Sequence, residues 1–380
     1  MPSFSYLVRP KEQVSWTIST GNFQLLRVLH LHEIGVKGGP NEICTLIHLR
    51  YLQVAVDVKK CKSLLAWIAN LCNLQTLHIA TIKVRNLQTR HLATIKPRKL
   101  QILRVTTTKV DEEILLDIDC NILKMQNLRH VHVELGRFTG WPILSFPSNL
   151  QTLKYIEAGH WMGDDCLGKL INLRKLGIVE VDMRRHGDIL FYSIPKLKHL
   201  QSLTLHVSPG GSLYPFLPIL NLLHLYKLYL GGGLEKLPES HEFSPNLTKL
   251  TLQDTTLGQD PMPTLEKLQN LRILRLLHSA YMGKEMVCSV QGFPRLESLK
   301  LKKLDYLEKW RVEEGAMPSL LHLHMYQCRQ LKTLPEGLQH VTSLRKLELI
   351  MMPWSSTKRV QEERRDDWQK IQHIPSIDIR

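Results

Sequence analysis

The sequence predicts an α/β repeat solenoid of about fourteen units, with a curved parallel β-sheet on its concave face, and three observations carry that expectation. The pattern L-x-x-L-x-L, with Val, Ile, Met or Tyr allowed in the later places, begins at Leu26, Leu49, Leu74, Leu100, Leu128, Leu150, Leu173, Leu200, Leu225, Leu247, Leu271, Leu296, Leu320 and Leu344. Steps between copies run from 22 to 28 residues, inside the 20 to 29 window of leucine-rich repeats. Copies are locally near verbatim, with LQTL at 74 and 150 and LRKL at 173 and 344.

Each copy supplies a short strand, because leucines two apart share one strand face. No unit can bury those leucines alone, so neighbours stack and pair in parallel around one continuous apolar core. In the unit LKTLPEGLQHVTSLRKLEL, residues 331–349, Pro335 bars a continuous helix. The stretch from Leu334 to Leu344 is therefore a return turn, and Leu347 and Leu349 lie on the strand face. We expect a lead-in at 1–25, repeats at 26–350 and a C-terminal capping segment at 351–380. The tail WSSTKRVQEERRDDWQKIQHIPSIDIR offers an N-cap at Ser355 or Ser356, a charged helix, and a Pro375-bounded strand able to cover the last repeat.

Residues 1–13 carry Pro2, Arg9 and Lys11 without the apolar run of a signal peptide, and nowhere do 18 uncharged apolar residues follow one another. The expectation is a cytoplasmic or nuclear protein with no membrane span. Seven cysteines without a C-x-x-C pair suit a reducing compartment. Cys328 falls at the ninth place counted from Leu320, where such repeats satisfy the backbone of the turn leaving the strand. No phosphate-cradling G-x-x-x-x-G-K-[ST], G-x-S-x-G or H-E-x-x-H occurs, so neither an enzyme nor a cofactor is expected.

Three His-x-His pairs, His30/His32, His130/His132 and His322/His324, place two imidazoles on one strand face. Each lacks a third ligand, so hydrogen-bonding surface histidines are expected rather than a metal site. The third, fifth and seventh places of the repeats face outward. They hold Arg104, Lys154, Lys175, Lys227, Lys249, Arg275, Lys300, Lys302 and Lys346 against Glu134 and Glu348 only, within a chain of net charge +15. An electropositive concave face follows, suited to an acidic protein partner. Its outward aromatics are few, Tyr51, Tyr229 and Tyr326, which argues against nucleic acid. The candidate partner-binding residues are Arg104, His130, His132, Lys154, Lys175, Lys227, Lys249, Arg275, Lys300, Lys302, His322 and His324.

The run MPSLLHLHMYQCRQLKTLPEGLQHVTSLRKLELIMMP, residues 317–353, resembles the closing repeats of plant nucleotide-binding leucine-rich-repeat disease-resistance proteins. FQLLRVLHLHEI, GPNEICTLIHLRYL and WIANLCNLQTL resemble the opening repeats of their coiled-coil subclass. The resemblance implies recognition of a pathogen effector, a host target or a nucleotide-binding switch domain. The family's Walker loop and Met-His-Asp triplet do not occur here, so signalling is expected to lie outside this sequence. An alternative is a substrate receptor of a ubiquitin ligase, against which the 25-residue lead-in argues. A second is a scaffold of GTPase signalling, against which the irregular repeat lengths argue.

Overall fold

The computed structural model describes residues 5–8, 25–31, 46–56, 71–81, 99–107, 116–139, 149–163, 165–208, 210–213, 222–353 and 366–380. His32, most of the lead-in, and the Ser355 or Ser356 cap lie outside them. The chain divides into two compact units, Met1–Val179 with Tyr192–His199, and Glu180–Phe191 with Leu200–Arg380.

Every predicted repeat delivers a strand. Unit one is a parallel ladder of β1 (Ser5–Val8), β2 (Val28–Leu31), β3 (Tyr51–Val56), β4 (Thr76–Thr81) and β5 (Ile102–Thr107). After β6 (Leu116–Asp119), the ladder continues from β5 through β7 (His130–Thr139), β8 (Thr152–Glu157) and β9 (Lys175–Val181). The short β6 pairs with the second half of β7.

Unit two repeats the scheme with β10 (Ser202–Val207), β11 (Lys227–Gly231), β12 (Lys249–Gln253) and β13 (Ile273–Leu277). Two consecutive return segments add β14 (Glu285–Cys288) and β16 (Lys309–Val312), a separate two-stranded parallel sheet. The main ladder runs on through β15 (Ser298–Lys302), β17 (His322–Tyr326) and β18 (Lys346–Ile350) to β19 (Ser376–Ile379). The strand beyond Pro375 thus pairs with the final repeat, and the Met351 amide donates to the Arg380 carbonyl.

The core is the leucine pattern made solid. All fourteen leading leucines are buried, none more than 6% exposed. Each such side chain contributes about 1.5–3 kcal/mol when removed from water. A second device ties repeat to repeat. The residue before the leading leucine donates its side chain to a carbonyl of the preceding repeat, as in Asn73 to Ile47, Asn149 to Gln126, Asn246 to Leu223 and Asn270 to Pro245. These carbonyls sit in turns with no strand partner, and the amide satisfies them. Asn246 is committed in this way and Leu247 is buried, so the Asn246-Leu247-Thr248 sequon serves the fold.

Six repeats leave their strand through a left-handed residue at the eighth place, Gly232, Asp254, His278, Lys303, Gln327 and Met351, with φ from 47° to 108°, and Glu180 takes φ 53° at the same place within β9. Only one is glycine, although a left-handed conformation costs other residues about 1–2 kcal/mol. What holds them is the neighbouring repeat. The amides of His278, Lys303 and Gln327 donate to the carbonyls of Lys302, Tyr326 and Ile350. Gly337 in the LPEGL segment is required for a different reason: a Cβ there would meet the Val312 carbonyl at 1.8 Å.

One inward position departs from the alternation. The leucine pattern puts Tyr155 in the core, at the sixth place counted from Leu150. In the structure Tyr155 takes φ 61° and is 38% exposed, while Ile156 is fully buried in its stead. A register shift in β8 accompanies the change. One left-handed residue flips the side chains that follow, as a one-residue slip must.

Candidate functional site

In unit one the parallel register sets His30, Gln53, His78, Arg104, His132 and Lys154 side by side on successive strands. His130 and Lys175 flank Thr152 in the row beside it. Most of these imidazoles are tied to the next strand. His30 Nδ1 hydrogen-bonds Gln53 Oε1 at 3.0 Å, His78 Nε2 meets Thr106 Oγ1 at 3.0 Å, and His130 Nδ1 meets Thr152 Oγ1 at 3.1 Å. Burial and the neighbouring cations hold His78, His130 and His132 below the ordinary imidazole range, with Arg104 acting on His78 and His132 and Lys175 on His130. They are therefore neutral donors and acceptors at physiological pH. Glu134 lies 3.7 Å from His132 Nε2, and the displaced Tyr155 packs its ring edge-on against the same imidazole at 5.2 Å.

In unit two Lys227 and Lys249 are register partners, and Arg275, Lys300, His324 and Glu348 follow one another across β13, β15, β17 and β18. The row changes character along its length. Glu348 accepts from Lys346 Nζ at 2.8 Å and from His324 Nδ1 at 2.9 Å, and these bonds pull its carboxyl down to about 2. Arg275 and Lys300 have no such partner among the described residues. Lys302, two places along β15, sits over the Tyr326 ring at 5.3 Å. Burial, then the like charges of Arg275 and Lys302, push the Lys300 ammonium below the usual lysine range. His322 pairs in register with Lys346 and is exposed.

The twelve residues thus fall in two sets. One gathers His130, His132, Arg104, Lys154 and Lys175, and the other Lys227, Lys249, Arg275, Lys300, Lys302, His322 and His324. Sequence reasoning missed Tyr155, because Tyr is admissible in the sixth place of the pattern and nothing in the string marks the backbone flip. Among the described residues, no group of three His, Cys, Asp or Glu could hold a metal ion. Cys328 is fully buried, its Sγ 3.8 Å from the Leu301 carbonyl of the preceding repeat, and burial pushes its thiol up to about 11. That chemistry is structural, since a thiol so far from ionisation is a poor nucleophile.

No helix among the described residues is long and apolar enough to cross a membrane. A family model described as a leucine-rich repeat region matches residues 98–374. The probable disease resistance RPP8-like protein 4 of Arabidopsis thaliana is 31% identical over 98% of this chain, and the disease resistance protein RPP8 of the same plant is also 31% identical over 98%. The chain spans 38% of the length of each. A solved internalin of Listeria monocytogenes is similar at 17% identity and a TM-score of 0.41, over 61% of this chain and 62% of that one. Periodicity, parallel ladder and sequence likeness agree, and the chain belongs to the leucine-rich-repeat region family in the form found in plant disease-resistance proteins.

Proposed function

We propose that the chain is a protein-recognition module of plant disease resistance, and that it takes an acidic surface of its partner on the outward face of its sheet. The partner is a pathogen effector, a host target, or a nucleotide-binding switch domain. The observation that carries this reading is the cluster of Arg275, Lys300 and Lys302 on adjacent strands, where no carboxylate among the described residues makes a contact ion pair and the more distant Glu348 offsets only part of the like-charge repulsion on Lys300. Like charges brought together and partly desolvated cost free energy in the unbound protein. An acidic partner relieves that cost on docking, so the energy stored in the free surface appears as affinity and as faster association. Arg104 and Lys154 supply a weaker strip of the same sign in unit one.

The test is capture from plant tissue by the purified chain and by an Arg275→Glu/Lys300→Glu variant, each at low and physiological salt. Acidic proteins held by the first and lost from the second are the expected result. Capture should weaken at physiological salt, where charges are screened within about 8 Å. The same partners retained by both forms would sink the proposal.

A further inference from the structure

Away from the outward face, at the edge of the unit-one sheet where the strands begin, a shallow cavity of about 280 Å³ is lined by Arg129, Asn149, Gln151, Asn172, Arg174 and His199. Its size lies just below the range of drug-sized small-molecule pockets, about 300–1,000 Å³, as a small anion requires. Its lining is wholly polar and contains no carboxylate. We infer that this pocket is an oxyanion site that takes a phosphoryl group, gripped between the guanidinium groups of Arg129 and Arg174.

The repeat places these groups by construction. Arg129, Gln151 and Arg174 each follow the leading leucine of successive repeats, so they recur at one strand spacing. The Gln151 amide donates to the Arg129 carbonyl at 2.7 Å, and the Arg174 amide to the Gln151 carbonyl at 2.8 Å. Two strand spacings set the arginine Cα atoms about 10 Å apart. Side chains of that reach converge on one tetrahedral anion, and a guanidinium fork matches two phosphoryl oxygens at once. Between them Gln151 brings a carboxamide donor. Asn149 is held by its own bond to the Gln126 carbonyl, which stiffens the pocket wall.

Charge favours the same ligand. Neither Arg129 nor Arg174 has an ion-pair partner among the described residues. The segments leading into these strands, 120–128, 140–149, 163–172 and 194–199, carry Lys124, Lys169, Lys196 and Lys198 against Asp164 and Asp165 alone. Asp165 is already bound to Lys196 at 2.7 Å. In unit two the corresponding rim is different, because Arg272 is paired with Glu297 at 2.8 Å. An exposed arginine that could have been neutralised by the next repeat is neutralised there and is not here.

The experiment is calorimetric titration of the 380-residue chain with inorganic phosphate, pyrophosphate, acetate, and a phosphoserine peptide beside its unphosphorylated form. Phosphate and pyrophosphate should bind, with pyrophosphate tighter and acetate weak. Arg129→Gln/Arg174→Gln should lose roughly tenfold or more in affinity, the usual scale for a lost charged hydrogen bond. Both side chains are exposed, so the variant should keep the circular-dichroism spectrum and melting midpoint of the parent. Lys267→Gln, an exposed cation of the other unit that lies outside the proposed recognition surface, should bind pyrophosphate as the parent does. If the phosphopeptide outbinds pyrophosphate, the phosphoryl group comes from a protein; if not, it comes from a small phosphorylated molecule. The inference is overturned if phosphate does not bind, if acetate competes equally, or if the double variant binds unchanged.

Discussion

The two units use one construction and finish it differently. In unit one, cations alternate with imidazoles that burial keeps neutral, and a left-handed backbone appears inside a strand, at Tyr155, where it breaks register. In unit two, every left-handed strand exit falls at the eighth place of its repeat, register holds from β10 to β19, and the charges segregate. Arg275 and Lys300 stand together, while Glu348 neutralises Lys346 and hydrogen-bonds His324. The comparison teaches that total charge is a poor guide to a binding surface. Arg275 on β13 and Lys300 on β15 make no contact ion pair because they are each other's neighbours across the ladder, whereas Lys346 on β18 has the Glu348 carboxylate within reach on its own strand.

If the difference lies only in outward residues, the core should not know which unit it is in. Leu103→Ala in β5 and Leu276→Ala in β13, both fully buried, should each cost about 2–5 kcal/mol in urea unfolding. A loss confined to one of the two would show that the units differ in packing as well as in charge.

A smaller effect isolates the neutralised end of unit two. Glu348→Gln should cost about 1 kcal/mol at neutral pH, a figure reduced for solvent screening at a partly exposed site. The folded carboxyl titrates at about 2 against 4.5 ordinarily, so its stabilisation is complete above pH 4.5 and disappears as the pH falls toward 2. The parent and the variant should therefore converge in stability across that window. Parallel curves would mean that the Lys346 and His324 contacts contribute nothing.

The smallest effect belongs to unit one. His78, His130 and His132 are held below their ordinary value of 6.5. As the pH falls below 6.5 the unfolded chain binds protons before the folded one, so acid destabilises the fold through these residues. Changing all three to Gln should flatten the fall in melting midpoint between about pH 7.5 and about pH 5. An unchanged acid limb would show that the imidazoles are already solvated and carry charge freely.

The repeat number, the place of each strand and the leucines that fill the core were legible in the string, because a period of two along a strand and about 24.5 between units are local and translational properties. So was the strand beyond Pro375, which the proline bounds and which pairs with the final repeat. The basic residues of the candidate surface were legible as a set but not as an arrangement. Whether Lys346 is a free cation depends on Glu348 on its own strand, and whether His324 is tied depends on a residue 24 positions away. The phosphoryl pocket was legible only as a spacing: the repeat sets Arg129, Gln151 and Arg174 one strand apart, but that neither arginine meets an ion-pair partner among the described residues is decided by the side chains of neighbouring repeats.

By itself, then, the sequence determined the solenoid, since periodic leucines leave stacking as the way to remove them from water. The tertiary structure alone decided where Tyr155 points, which residues bend left-handed without being glycine, and which cations meet a carboxylate. Those outcomes turn on contacts between repeats, where a hydrogen bond or a carboxylate one strand away outweighs the local preference of the chain.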